Sequence, residues 1–129
     1  IQWQCEASPQ TLKINKTAVA GAIQNLITNA IDASREGQPV TVETKTDAGL
    51  WCCCVRDSGE GIDDAMKARL FTPFATNKPH GTGLGLAVVD TVAKAHGGKI
   101  KWHSEKGQGS EFMIMFPTIQ QSNLEVRYG

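Results

Sequence analysis

The sequence lacks an excess of charge of either sign and lacks any long apolar run. Its 13 Lys and Arg residues balance 13 Asp and Glu residues, so the formal net charge is +0. We therefore expect no nucleic acid or anionic membrane surface as a partner, because both attract basic proteins. No apolar stretch approaches the roughly 20 residues that a membrane-spanning helix needs. A length of 129 residues suits one domain around one core.

Cysteine is scarce and poorly placed for cross-linking. The four cysteines are Cys5 and the run Cys52-Cys53-Cys54. Neighbouring residues of a strand point to opposite faces, so this run does not readily close a disulfide. No second Cys pair stands at zinc-finger spacing. We interpret the run as small buried apolar residues in a reducing compartment, with a redox-sensitive thiol as the alternative.

The chain begins with Ile1 rather than Met, so we expect a piece of a longer protein. This piece is expected to be cytoplasmic, and its parent to be either soluble or anchored in the inner membrane. Residues 1–119 are expected to form one domain, and residues 120–129 a polar tail.

Hydrophobic periodicity predicts a mixture of helices and strands. Strands are predicted over residues 1–5, 11–14, 40–46, 50–55, 99–103 and 111–116, and helices over 16–35, 63–71 and 84–96. Asn15 is the expected N-cap of the long helix, and Gly37 its expected stop. The order predicts an α+β fold, a two-layer α/β sandwich whose mixed, mostly antiparallel sheet of about five strands carries three helices on one face. A Rossmann fold is disfavoured because the glycine-rich loop does not immediately follow a strand.

That glycine-rich loop, Gly81-Thr82-Gly83-Leu84-Gly85-Leu86, leads directly into a helical pattern. Glycines let a ligand approach backbone N–H groups closely, and a helix start attracts phosphate. Taken alone, the loop is equally compatible with a tight turn.

Polar residues lie along one side of the long helix. Asn25, Asn29 and Asp32 fall within a narrow arc beside the apolar stripe. Amide oxygens are hard neutral ligands that suit Mg²⁺ held between protein and phosphate. The alternative is a solvated helix face that carries Asn by chance.

Two further groups have binding chemistry. Asp57 follows an apolar strand and precedes Gly59 and Gly61, and it is placed to accept a hydrogen bond from an exocyclic amine such as that of adenine; the alternative is a turn aspartate that binds backbone N–H groups. Downstream, Phe71 and Phe74 are placed to pin a loop over a ligand, and Lys78 to pair with phosphate. The alternative there is two core aromatics and a solvated lysine.

Taken in the order of the sequence, these motifs resemble the conserved boxes of sensor histidine kinases. Residues 25–30 resemble the N box, 57–62 the G1 box, 71–74 the F box and 81–86 the G2 box, while 107–112 are similar to the closing Gly-x-Gly-Thr-x-Phe pattern with Ser for Thr. The resemblance covers residues 17–117. It implies the catalytic, ATP-binding domain and the Bergerat fold, which is shared with gyrase and MutL. The short lid with Thr-Asn-Lys-Pro resembles the nitrogen-regulator-like subgroup.

The resemblance also implies residue roles. Asn29 would ligate Mg²⁺, Asn25 would support the phosphate site, and Asp57 would bind the adenine amine of ATP. Ser110 would complete the adenine end, and Lys78 would be the phosphate-pairing and catalytic cation. The remaining expected nucleotide contacts are Gly59 and Gly61 near the base, Ala33, Ile62 and Leu86 as an apolar wall, Phe74 in the lid, and Gly81, Thr82, Gly83, Leu84 and Gly85 around the phosphates.

One departure concerns Asp32, since many relatives carry a basic residue there; this shifts the expected phosphate pairing to Lys78. A second point concerns Asn25, because hydrolytic gyrase-like and MutL-like relatives carry a glutamate there. An amide cannot act as a general base, which favours transfer of the γ-phosphate over its hydrolysis.

The acceptor in the family is a histidine on a separate dimerisation domain, and His80, His96 and His103 all look structural or solvated. We therefore expect a monomeric fragment that does not autophosphorylate alone, from a homodimeric kinase. That kinase would serve a response regulator of the enhancer-binding type. The alternatives are a free-standing anti-sigma-type serine kinase, which the missing Met argues against, and a degenerate nucleotide sensor.

Overall fold

A computed structural model describes residues 2–5, 13–68, 71 and 85–118 of the chain. These residues form five strands and three helices, labelled here in chain order. The strands are β1 (Gln2–Cys5), β2 (Thr41–Asp47), β3 (Leu50–Asp57), β4 (Lys99–Glu105) and β5 (Gly109–Pro117). The helices are α1 (Lys16–Ala33), α2 (Asp64–Lys67) and α3 (Gly85–Ala95).

The strands form one sheet in the order β1-β2-β3-β5-β4. β1 runs parallel to β2, and every other neighbouring pair is antiparallel. A tight turn joins β2 to β3, where Ala48 and Gly49 have φ angles of 50° and 78°. Two such positive angles match the twist of the flanking strands. The predicted sheet, mixed and mostly antiparallel with five strands, is confirmed.

Helices α1 and α3 pack on one face of the sheet and enclose the core. Met66 of α2 packs against the same core. The alternation of each strand places every second side chain under the helices. The buried members of this core are Val19, Ala22, Leu26, Ala30, Val40, Val42, Cys53, Val55, Val89, Ala93, Phe112, Ile114 and Phe116.

One histidine joins the start of α1 to the end of α3. His96 Nε2 accepts a hydrogen bond from the Asn15 N–H at 3.0 Å, and His96 Nδ1 lies 2.7 Å from the Val92 carbonyl. The ring also packs edge-on against Phe116. Asn15 is the N-cap, as predicted, and its side chain accepts from the Ala18 N–H. The structural interpretation of His96 is confirmed.

Several predicted boundaries are wrong by a few residues. α1 ends at Ala33 rather than at residue 35 because Ser34 caps it, its hydroxyl donating to the Ala30 carbonyl at 2.7 Å. α2 is a single turn, whereas a helix over 63–71 was expected. Of the expected strand over 11–14, residues 13 and 14 are not in a strand. The other half of that strand, the loop over 72–80 and the tail over 120–129 lie outside the described residues.

Within the part of the chain that the structure describes, no helix combines the length and apolar character needed to cross a bilayer.

Candidate functional site

Most of the predicted site residues that the structure describes lie at two places beside α1. We call the first the strand end; it comprises Asp57–Ile62 and the β4–β5 turn. The second, the helix end, comprises Asn25, Asn29 and Gly85. Ala33 of α1 touches the strand end, and Asn25 lies about 12 Å before it along the helix axis, given 1.5 Å of rise per residue.

Asp57 is the last residue of β3 and pairs with Ser110 of β5. Alternation from Cys53 and Val55 places its half-buried side chain on the helix side of the sheet. Its Oδ1 accepts a hydrogen bond from the Gly59 N–H at 2.9 Å. This bond fixes the direction in which the chain leaves the strand, and it holds the carboxylate at the mouth of the strand end.

Two glycines of this loop approach neighbouring backbone too closely for any side chain. A Cβ on Gly59 would lie 2.0 Å from the Ala33 carbonyl oxygen at the end of α1. A Cβ on Gly61 would lie 2.1 Å from the Glu105 carbonyl oxygen, and Gly61 also has a φ of +76°. The loop is therefore held between α1 and the β4–β5 turn by direct backbone packing.

A pair of buried serines supports this loop from below. The Ser104 hydroxyl accepts from the Ile62 N–H at 2.8 Å and lies 2.8 Å from the Ser110 hydroxyl. It also donates to the Gly109 carbonyl at 3.2 Å. Ser110 pairs with Asp57 across β3 and β5, and its hydroxyl contacts Ser104; its role at the adenine end stays a prediction. Sequence reasoning missed Ser104; its only signal is a small polar residue at an inward position of β4.

At the helix end, the first residue of α3 lies against the amide side chains of Asn25 and Asn29 on α1. A Cβ on Gly85 would lie 3.6 Å from Asn29 Nδ2 and 3.9 Å from Asn25 Cγ. Both asparagines are half-buried. The first turn of α3, where the positive end of the helix dipole lies, is thus beside polar amides, which is a setting suited to an anion and a hard cation together.

The three residues predicted as an apolar wall are all partly buried. Ala33 is half-buried at the end of α1, and Ile62 and Leu86 both pack against the core. Phe71 is anchored on β4, where its ring meets that of Trp102 edge-on at 6.4 Å. Asp32 is exposed on the same side of α1 as the two asparagines. The other predicted contacts, Phe74, Lys78, Gly81, Thr82, Gly83 and Leu84, lie outside the described residues.

The cysteine run lies on β3, which leads into the strand end. All three thiols are buried. Burial raises the pKa of Cys53 to about 11 and that of Cys54 to about 12. The thiols of Cys53 and Cys54 therefore stay protonated at neutral pH, in agreement with the packing interpretation. Among the remaining histidines, His103 is exposed 3.3 Å from Glu105, and His80 lies outside the described residues.

The protein family described as "Histidine kinase-, DNA gyrase B-, and HSP90-like ATPase" matches residues 15–120. That range contains both ends of the candidate site and most of the chain. The chain belongs to this family. It is therefore a domain of the ATP-binding type, and the predicted fold class is confirmed.

Named relatives agree with this assignment. Sensor histidine kinase ZraS of Salmonella typhi is 45% identical over 98 residues, which are 74% of this chain and 21% of ZraS. The full-length structure of ShkA in complex with AMPPNP is 28% identical with a TM-score of 0.79, over 92% of this chain and 25% of ShkA. The catalytic domain of histidine kinase ThkA is 28% identical with a TM-score of 0.75, over 90% of this chain and 78% of that domain.

This chain thus spans about a fifth of the length of ZraS and most of an isolated catalytic domain. The resemblance to the catalytic ATP-binding domain of sensor histidine kinases is confirmed. The nitrogen-regulator-like subgroup stays a prediction.

Proposed function

We propose that this domain binds Mg²⁺-ATP and donates its γ-phosphate to a histidine on a separate dimerisation domain. The phosphoryl group then passes to a response regulator. The observation that carries the proposal is the placement of Asn25 and Asn29 of α1 against the first residue of α3, with Asp57 held in the loop that packs on the end of α1.

The strand end is assigned to the adenine base. A carboxylate accepts hydrogen bonds at both oxygens, so Asp57 has the capacity to accept from the adenine amine besides the Gly59 N–H at 2.9 Å. The half-buried Ala33, Ile62 and Leu86 offer apolar surface for the faces of the ring. Ser104 and Ser110 hold the loop in place beneath it.

The helix end is assigned to the phosphates and Mg²⁺. The amide oxygen of Asn29 is a hard, neutral ligand of the kind Mg²⁺ accepts when phosphates and waters supply the rest. The start of α3 offers N–H groups to phosphate oxygens. Bound Mg²⁺ would neutralise the charge that develops during phosphoryl transfer. Lys78 and the loop over 81–84 remain proposed contacts of the same phosphates.

Transfer is favoured over hydrolysis by the chemistry of Asn25. Family resemblance places a glutamate here in hydrolytic relatives, where it activates water. The amide side chain of Asn25 cannot accept a proton from water as a glutamate carboxylate does. Asn25 therefore supports the phosphate site, and the attacking group comes from another domain. His96 is committed to Asn15 and Val92, which excludes it as the acceptor.

The test is a transfer assay with the histidine-bearing dimerisation domain of the same kinase. The two domains are mixed with Mg²⁺ and labelled ATP, and acid-labile phosphate on the acceptor is measured beside ADP release. We expect label on the acceptor histidine and none on this domain alone. Asp57→Asn is the control, because Asn keeps an oxygen for the Gly59 N–H but presents a donor to the adenine amine.

Other outcomes overturn specific parts of the proposal. ADP release without label would identify a hydrolase and contradict the argument from Asn25. Acid-stable phosphoserine on a protein partner would identify the anti-sigma-type serine kinase. Label on this domain alone would show an internal acceptor.

A further inference from the structure

Three buried sulfur-bearing residues lie outside the core described above. Cys54 is 0% exposed, Cys52 3% and Met115 4%. None of them belongs to the cluster that α1 and α3 cover, whereas Cys53, Val55, Ile114 and Phe116 do. Alternation along β3 and β5 therefore places Cys52, Cys54 and Met115 on the opposite face of the sheet.

The strand register arranges four sulfur side chains on that face. Cys54 pairs with Met113 and Cys52 pairs with Met115. Paired residues of antiparallel strands have Cβ atoms about 5 Å apart. Alternate residues on one strand are about 7 Å apart. The four side chains thus occupy the corners of a small rectangle, with the thiols along one side and the thioethers along the other. We call it the sulfur cluster.

Long polar side chains surround the sulfur cluster. Arg56 Nη1 lies 3.4 Å from Cys54 Sγ. The same Nη1 atom lies 3.7 Å from Glu43 Oε1 and 3.9 Å from Glu111 Oε2, so the Arg56 guanidinium faces both carboxylates. Lys45 pairs with Cys52 in the register of β2 and β3.

We propose that Cys52, Cys54, Met113 and Met115 bind one soft monovalent metal ion of the Cu(I) class. Thiolate and thioether sulfurs select such ions over hard or borderline cations. A metal–sulfur bond is about 2.3 Å long, so two sulfurs on opposite sides of one ion stand about 4.6 Å apart. Cysteines two residues apart on one face reach this separation by side-chain rotation alone.

The bonds and protons at this place can be accounted for. Binding forms two metal–thiolate bonds, and each thiol releases its proton to solvent with no change in the oxidation state of the metal. One monovalent cation and two thiolates leave a single negative charge beside the Arg56 guanidinium, which lies 3.4 Å from Cys54 Sγ and also faces Glu43 and Glu111. Zn²⁺ fits poorly, because the described residues contain no group of three or more His, Cys, Asp or Glu side chains that could hold it.

The test is anaerobic titration of the reduced domain with Cu(I) in the presence of a chromophoric Cu(I) chelator. Cys5 is replaced by Ser throughout, so that only the β3 thiols are compared. We expect one Cu(I) per domain, and binding weakened at least about 100-fold in Cys52→Ser/Cys54→Ser. The matched control is Cys53→Ser, which removes the neighbouring thiol from the opposite face and should leave affinity unchanged. Met113→Leu/Met115→Leu should weaken binding about tenfold.

The proposal is overturned if Cys53→Ser weakens binding as much as the double variant, or if Zn²⁺ competes equally with Cu(I). It is also overturned if the parent domain does not compete with the chelator. Should the double cysteine variant fail to fold, NMR of the methionine methyl groups in the parent domain decides the question. Ag(I), a redox-inert substitute, should then shift the Met113 and Met115 methyl signals, and unshifted signals contradict the site.

Discussion

At the strand end of the candidate site, backbone packs directly against backbone, whereas at the helix end side chains meet the first residue of a helix. A Cβ would lie 2.0 Å from a carbonyl oxygen at Gly59, but a Cβ at Gly85 would make ordinary contacts at 3.6 Å or more. Gly59 and Gly61 of the strand end therefore leave no room for an added atom. Substitutions at these two glycines disturb folding and binding together, while substitutions at the helix end separate the two.

The largest effect is expected from Gly61→Ala. The new methyl group meets the Glu105 carbonyl, and the residue must hold a φ of +76°. Both costs add, so we expect the free energy of unfolding to fall by about 3 kcal/mol or more. Urea unfolding measures the loss. Gly107→Ala is the matched control, because Gly107 has a φ of +87° with nothing within 4 Å of its Cβ position. Equal losses in the two variants would show that close packing at Gly61 is unimportant.

Ser104→Ala tests the support beneath the strand end. Ser104 is 2% exposed, and its loss removes the acceptor of the Ile62 N–H. A buried donor without a partner costs about 2 kcal/mol of unfolding free energy. Ser110→Ala keeps that acceptor and should cost less, as compared by thermal or urea unfolding. If Ser110→Ala proves the more damaging change, the assignment of Ser104 as the supporting residue is wrong.

Asn29→Ala tests the helix end. We expect the affinity for Mg²⁺-ATP to fall about 10- to 100-fold, since one ligand of the ion is lost. The urea midpoint should barely change, because Asn29 is half-buried on a helix and Ala is the better helix former. Calorimetric titration with ATP, with and without Mg²⁺, measures the affinity and its dependence on Mg²⁺. Urea unfolding measures the midpoint. An unchanged dependence on Mg²⁺ would remove Asn29 from the metal site.

The smallest expected effect is a loss of folding stability at alkaline pH. Burial raises the pKa of Cys53 from 9.0 to about 11 in the folded state. Above pH 9 the folded protein therefore keeps a proton that the unfolded chain loses. Folding stability then falls as pH rises from about 9 toward 11, by about 1 kcal/mol at pH 10. Cys53→Ala should show a shallower loss of stability across this range than the parent. Parallel pH profiles from urea unfolding would contradict the raised pKa.

Strong local signals explain which parts of the structure could be predicted. The N-cap at Asn15, the apolar stripe of α1 and the alternation of the strands each act within a few residues of chain. The same holds for the glycine-marked turns. These signals were enough for the fold class, and the resemblance of the motifs added Asn25, Asn29 and Asp57 as candidate site residues.

Long-range contacts explain the features of the structure that could not be predicted from the sequence. β3 extends to Asp57 because β5 pairs with it there. Ser104 supports Ile62 from 42 residues away, and His96 binds Asn15 from 81 residues away. α2 is shorter than its apolar pattern suggested, although its predicted start is correct, with Asp63 as its N-cap. A single small polar residue in a strand gives no local sign of such a partner.

The most direct test of the central claim is calorimetric titration of Mg²⁺-ATP into the parent domain and into Asp57→Asn. The account predicts one binding site in the parent, and binding at least about tenfold weaker in Asp57→Asn with an unchanged urea midpoint. Equal affinity in the two proteins would contradict the assignment of the strand end to adenine.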